Sequence, residues 1–380
     1  MKKLLLSTLA ITALLMTSCS RDDDSNETTQ TFDPSNFKGV LTAGQSLTLD
    51  PAVTYKLTGS LVVKADATLT IPAGTRIEAT GGTSSYIAVA QDALIYINGT
   101  ETNPVIMTSG KTNPAPGDWG GLVVCGKART NKGGANGETA TAEVSDLTYG
   151  GSDNNDSSGI IRYLRIEYTG AAFTNQKEFN GLSLFGVGSG TTVEYVQAYK
   201  SGDDGIEFFG GSVNAKYLIA LHSEDDAVDF ADGYSGTLEN VFIKDVAKAG
   251  VEGSNNGDNG DALPTTNATL KNFTILKGSL NGEEHGMYIK EGGGKWNAQN
   301  IYIQDFSKGI KIKPAAEDAP ANTNVDNGFV IFNPIQFVNV AGSKSEYSGT
   351  NTTYLTEGNN TGAGNGAETP SWAQGWTTGL

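Results

Sequence analysis

An apolar residue followed by apolar residues three and five positions later recurs six times. The sets are Ile161/Leu164/Ile166, Val193/Val196/Ala198, Ala215/Leu218/Ala220, Leu238/Val241/Ile243, Leu270/Phe273/Ile275 and Ala298/Ile301/Ile303. The last two positions of each set have the period of a strand, and the extra residue before them marks a bend. The position just ahead of the second apolar site also repeats, as Tyr163, Tyr195, Tyr217, Asn240, Asn272 and Asn300. A second strand follows in each unit: Leu182-Ser-Leu184, Ile206-Glu-Phe208, Val228-Asp-Phe230, Val251-Glu-Gly253, Met287-Tyr-Ile289 and Ile310-Lys-Ile312. Their first residues stand 24, 22, 23, 36 and 23 positions apart, with Gly, Asp and Asn in the turns. Several short strands per unit of this length predict a parallel β-helix, each coil stacked on the next at about 4.8 Å. A propeller blade is longer, and a leucine-rich repeat carries a Leu/Asn consensus that is missing here.

The N-terminal third reads the same way: Leu57–Val63, Ala67–Ile71 and Ala93–Ile97 are strands, and Ile71-Pro-Ala-Gly-Thr75 is a tight turn. The predicted β-helix covers 37–345, with residues 37–50 covering its open end and loops inserted near 129–160, 253–269 and 313–329. Residues 346–380 form a polar tail, loose over 346–368, whose Trp372-Ala-Gln-Gly-Trp376 segment packs on or near the other end. The 49 glycines among 380 residues fit a turn-rich all-β chain, and a net charge of −16 argues against a nucleic-acid partner.

The first residues read as an address. Lys2 and Lys3 precede the apolar run Leu4 to Leu15, which is too short to span a membrane. Met16-Thr-Ser-Cys19 resembles a bacterial lipobox. Residues 1–18 are therefore expected to be a lipoprotein signal peptide, and Cys19 the lipidated residue that ties the chain to outer-membrane lipid. Asp22-Asp-Asp24 lies within an acidic flexible linker, 19–36, and resembles the surface-export signal of Bacteroidetes lipoproteins. The other cysteine, Cys125, sits in the apolar run Leu122-Val-Val-Cys125 and is expected to be a buried thiol.

The sharpest local motif is acidic. Gly202-Asp203-Asp204-Gly-Ile-Glu207-Phe is followed by Glu224-Asp225-Asp226-Ala-Val-Asp229-Phe, offset by one coil. Asp203 is thereby set beside Asp225, Asp204 beside Asp226 and Glu207 beside Asp229, with Glu252 continuing the last column. Like charges at strand spacing repel. Three resolutions stand open: screening at an exposed turn, a Ca²⁺ held by Asp203, Asp204, Asp225 and Asp226, or protonated carboxyls among these four acting in acid–base catalysis. His222, just ahead of Glu224, is either a general acid or a strand-end residue bonded to a carboxylate. The two histidines and Cys125 offer no zinc spacing. Gly186-Val-Gly-Ser-Gly190 lacks the lysine of a phosphate loop. Tyr199, Phe242, Tyr288 and Tyr302 fall on outward strand parity, either to stack on sugar rings or to be covered by a folded-back loop, as the neighbouring Ile219 and Leu221 require. Tyr199, Glu207, Asp229 and Tyr288 are the candidate ligand-binding residues.

The segments IPAGT, GDWGGLVVCGKA, GIIRYLRIEYTG, NGLSLFGVGSGTTVEYVQAYKSGDDGIEFFGG and WAQGW resemble a family of Bacteroidetes surface lipoproteins, some of them labelled multidrug transporters. That resemblance implies a right-handed parallel β-helix of the pectin-lyase-like kind on the outer membrane, facing the exterior, and no established reaction. A weaker similarity links SGDDGIEF, EEHGMYIK and KGIKIK to β-helical polygalacturonases. Here Glu284 precedes His285 where that family has Gly, Lys311 stands where it has Arg, and its Asn-Thr-Asp element is missing. Three functions follow. The first is a surface lipoprotein that binds polysaccharide or serves as an accessory subunit. The second is a glycan hydrolase or lyase using the Asp pairs. The third is a structural subunit partnering an outer-membrane protein.

Overall fold

A computed structural model describes residues 32–175, 177–282 and 285–380. The expected signal segment, Cys19, the linker up to residue 31 and the Glu283-Glu284 pair lie outside the described residues. Among the described residues twenty-four strands form one sheet, wound as a right-handed parallel β-helix. Among the described residues no helix is long and apolar enough to cross a membrane.

Each coil has three faces. A long strand, such as Gly159–Glu167, Thr192–Ser201 or Ala215–Ser223, bends in its middle and supplies the first two. A short strand, such as Leu182–Phe185, Ile206–Phe209 or Val228–Ala231, supplies the third. The apolar sets of the repeat stack in register. Ile161, Val193, Ala215, Leu238, Leu270 and Ala298 form one inward column of the first face. Leu182, Ile206, Val228, Val251, Met287 and Ile310 form an inward column of the third. All of these are buried. Phe230 and Trp296 fill the interior with ring centroids 4.7 Å apart. Gly253 is glycine for that reason: a Cβ there would stand 2.3 Å from the Trp296 ring and 2.5 Å from that of Phe230.

The bend is a single left-handed residue, with φ between 49° and 59° at Tyr163, Tyr195, Tyr217, Asn240, Asn272 and Asn300. Asn tolerates this conformation; Tyr does so at a cost. Stacking offsets that cost. Tyr163 lies on Tyr195 at 4.3 Å and Tyr195 on Tyr217 at 4.4 Å, nearly parallel, each pair contributing about 0.5–1.5 kcal/mol. The asparagines form the polar counterpart. Asn272 Nδ2 donates to Asn240 Oδ1 at 3.0 Å, and Asn300 Nδ2 to Asn272 Oδ1 at 2.8 Å.

Two segments differ from expectation. Residues 37–50 are no separate cover: Phe37–Leu41 and Ser46–Thr48 pair in parallel with the strands that follow and form the first coil. Phe37 and Leu41 are inward and fully buried, which fixes them as rungs. The C-terminal tail does not cap an end. After Leu355–Glu357 completes the last coil, it runs back along the outside of the second face. Asn300 Oδ1 accepts from the Thr361 and Gly362 amides, each at 3.0 Å, and Gln197 Oε1 accepts from the Thr378 amide at 2.9 Å. Trp376 and Ala373 seal the outward Ile219, Leu221 and Phe242, and Trp376 also meets the tyrosine stack edge-on. Phe242 and Tyr302 are buried as a result, so the outward aromatics of the second face support the tail.

Replacing Asn272 by Ala removes both ladder hydrogen bonds and puts a Cβ without polar compensation at positive φ. A loss of about 2–4 kcal/mol in unfolding free energy is expected, with Asn272→Gly losing less because glycine keeps the φ. Urea unfolding of the three proteins checks the order.

Candidate functional site

The third face carries the acidic motif on its outward side. Glu207, Asp229 and Glu252 stack in register, followed by Tyr288 and Lys311. Ile206, Val228 and Val251 beside them point inward, so strand parity sends the carboxylates out. They are nevertheless buried, because two inserted loops stand over this face.

The first loop climbs the stack. The Gly126 amide donates to the Phe185 carbonyl, Gly211 to Arg129 and Asn131 to Asp232, crossing successive coils. It returns through the antiparallel pair Ala140–Thr141 and Thr148–Tyr149. Ala142, Val144, Leu147 and Tyr149 then pack on Phe179, Phe185 and Phe209, where Phe185 and Phe209 stack at 4.0 Å. Cys125 lies in the same cluster as a buried thiol, its pKa pushed up by desolvation. The second loop, 254–266, is tied to the first through asparagines. Asn131 Nδ2 donates to the Asn255 and Pro264 carbonyls, and Asn256 Nδ2 donates to Asn131 Oδ1 at 2.9 Å. Lys132 bridges to Asp258 at 2.6 Å.

Between the loops lies a cavity of about 240 Å³. Its wall includes the carboxylates of Glu143, Glu207, Asp229, Asp232, Glu252 and Glu291, the lysines Lys132 and Lys290, and the rings of Tyr149 and Phe209. Lys290 pairs with Glu252 at 2.6 Å and approaches Glu291 at 3.7 Å. Tyr149 donates its hydroxyl to Asp232 at 3.3 Å. Asn180 Nδ2 donates to Glu207. Among the described residues Asp229 Oδ1 has no hydrogen-bond partner, although the residue is only 9% exposed.

The four aspartates of the motif separate into different environments. Asp204 and Asp226 are buried stitches between coils: Asp204 Oδ1 accepts from the Asp226 amide at 2.8 Å, and Asp226 Oδ1 from the Ala249 amide at 2.7 Å. Asp225 pairs with Lys248, and Asp203 is partly exposed. Oxygens of Asp203, Asp204 and Asp225 lie within 4.8 Å of one another, as do those of Asp204, Asp226 and Asp229. Both sets have the chemistry of a hard-cation site, and Asp204 belongs to each. Tyr199 is not brought to this site. It lies on the second face against Tyr168, with Gly379 of the tail beside it. His222 is the strand-end residue of the two readings above, its Nδ1 2.8 Å from Asp245 Oδ2.

Desolvation dominates the electrostatics. Burial, reinforced by neighbouring carboxylates, holds Asp204, Glu207, Asp226 and Asp229 well above the ordinary carboxyl range. Burial and Asp225 push Asp203 up to about 7; burial, opposed by Lys132, leaves Asp232 at about 6. Glu143, Tyr149, Asp232, Lys290 and Glu291 were not singled out from sequence. Asp232 follows Asp229 by three residues, but only the fold of the 126–158 loop sets Glu143 and Tyr149 opposite it.

A carboxyl whose folded pKa is raised stabilises the fold below its unfolded pKa, near 4, and that contribution disappears as pH rises through the folded value. For Asp203 and Asp232 the window runs from pH 4 to about 7. In EDTA, the melting temperature is expected to fall between pH 5 and pH 8, and the double variant Asp203→Asn, Asp232→Asn to flatten that fall. Melting curves across this range check it.

Comparison with curated proteins and with solved structures returns no match. A family model described as a pectate-lyase like beta helix domain matches residues 39–377, nearly all of the chain, and takes in both the stacked coils and most of the returning tail. That fold suggests a polysaccharide-related role. The chain belongs to the pectate-lyase like β-helix family.

Proposed function

We propose that this protein binds polysaccharide on the third face, with one saccharide unit seated in the cleft between the two inserted loops. The observation that carries this is the cleft itself: a cavity of about 240 Å³ set on an extended solenoid side, walled by aromatic side chains and hydrogen-bonding groups. Glu207 and Asp229 line it, with Tyr288 continuing their column. The lipobox-like Met16–Cys19 supports anchorage by a lipid on Cys19 to the outer membrane, facing outward.

Ca²⁺ belongs to the same proposal. Asp203, Asp204 and Asp225 would supply its oxygens, with Asp226 fixing Asp204 in place, and the cation would relieve repulsion between stacked carboxylates. A second reading, a glycan hydrolase or lyase, is favoured by Asp203 retaining a proton near neutrality, as a general acid must.

Ca²⁺ at millimolar concentration is expected to raise the melting temperature relative to EDTA, and Asp203→Asn with Asp225→Asn to abolish the rise. An unchanged midpoint removes the metal. Affinity electrophoresis against a panel of polysaccharides tests the ligand: migration unaffected by every polymer sinks the binding reading. Reducing-end or unsaturated-product release, lost in Asp204→Asn and Asp226→Asn variants that still fold, would move the assignment to the enzyme.

A further inference from the structure

From the cleft wall we infer that the saccharide unit it takes carries a protonated amine, which Asp229 and Glu207 receive. This rests on the polysaccharide-binding reading and names its ligand class.

Among the described residues, the wall holds six acidic side chains against two lysines. Both lysines are already committed, Lys132 to Asp258 and Lys290 to Glu252 and Glu291. A uronate entering here would bring a further negative charge to a stack of acids whose burial and mutual repulsion already oppose ionisation. An ammonium supplies up to three donors and no acceptor, together with the opposite charge. The position that asks for such a donor is Asp229, which lines the cavity, is 9% exposed and has an Oδ1 with no hydrogen-bond partner among the described residues. Glu207 lies beside it in the next coil, one strand spacing away. Asn180 and Tyr149 spend donors on Glu207 and Asp232, and among the described residues no side chain donates to Asp229 Oδ1.

The cavity also distinguishes an amino sugar from a bare ion. At about 30 Å³ per water, it has room for about eight waters, the scale of a saccharide ring rather than of one cation. Phe209 and Tyr149 give it an apolar side.

The test is calorimetric titration of the full chain at pH 6.5 in EDTA with three probes: a glucosamine oligomer, its N-acetylated counterpart and an oligogalacturonate. The glucosamine oligomer is expected to bind at least about tenfold more tightly than the N-acetylated one, because acetylation removes both charge and donors. Asp229→Asn and Glu207→Gln should each weaken it about tenfold or more, while Glu317→Gln, on an exposed loop, should leave it unchanged. The comparison of probes on the unmodified protein does not depend on any variant folding. Equal or tighter binding of the N-acetylated oligomer overturns the amine assignment and leaves polysaccharide binding in place. Preference for the oligogalacturonate overturns it as well, and so does full affinity in both folded variants. No binding of any probe, together with no polymer retained in electrophoresis, removes both readings.

Discussion

Parallel, in-register stacking of one coil on the next governs everything else in this molecule. Each residue has the equivalent residue of the next coil beside it at about 4.8 Å. Whatever side chain a position carries must therefore tolerate a neighbour of its own kind. Apolar columns satisfy this without cost, and the interior is made of them. The bend columns solve it in two chemistries. Tyrosines stack face to face and asparagines pass amide hydrogen bonds from coil to coil. Both stabilise a left-handed backbone that a solitary Tyr would adopt at a cost.

The same constraint makes the carboxylate columns of the third face costly. Glu207, Asp229 and Glu252 stack as strictly as the leucines do, and the loops above them remove most of their contact with water. Water would have screened these charges; its exclusion raises their pKa values. Part of the cost is met within the fold. Lys290 answers Glu252, Lys248 answers Asp225, and backbone amides answer Asp204 and Asp226. Asp229 is left with one unanswered oxygen, at the place where the loops leave a cavity. Chemistry and opening coincide there.

The repeat was legible in the sequence because its period matches a local rule. Alternation of Ile161, Leu164 and Ile166 with their polar neighbours follows strand geometry, and an offset of 22 between Asp203 and Asp225 is a matter of counting. The pairing of Asp204 with Asp226 and of Glu207 with Asp229 followed from the same count. The loop residues were not legible. Glu143 and Tyr149 lie in a segment without period, and they reach Glu207 and Asp232 through contacts that span tens of residues of chain. The two readings of Tyr199 and Phe242 had the same limit: outward parity was evident, while what covers an outward side chain depends on a tail more than a hundred residues away.

The sequence by itself determined the solenoid, its bends, its inward columns and the ladder of acids. Each of these is set by neighbours one strand or one coil apart, and that spacing is written into the order of residues. Only the tertiary structure decided that the acids are buried, that a cavity stands against Asp229 and that the tail runs along the flank. Those outcomes depend on where long inserted segments find apolar surface to cover. The 126–158 loop settled on Phe179, Phe185 and Phe209, and the tail on Ile219, Leu221 and Phe242. Burial of apolar area is non-directional, so no local pattern announces its partner.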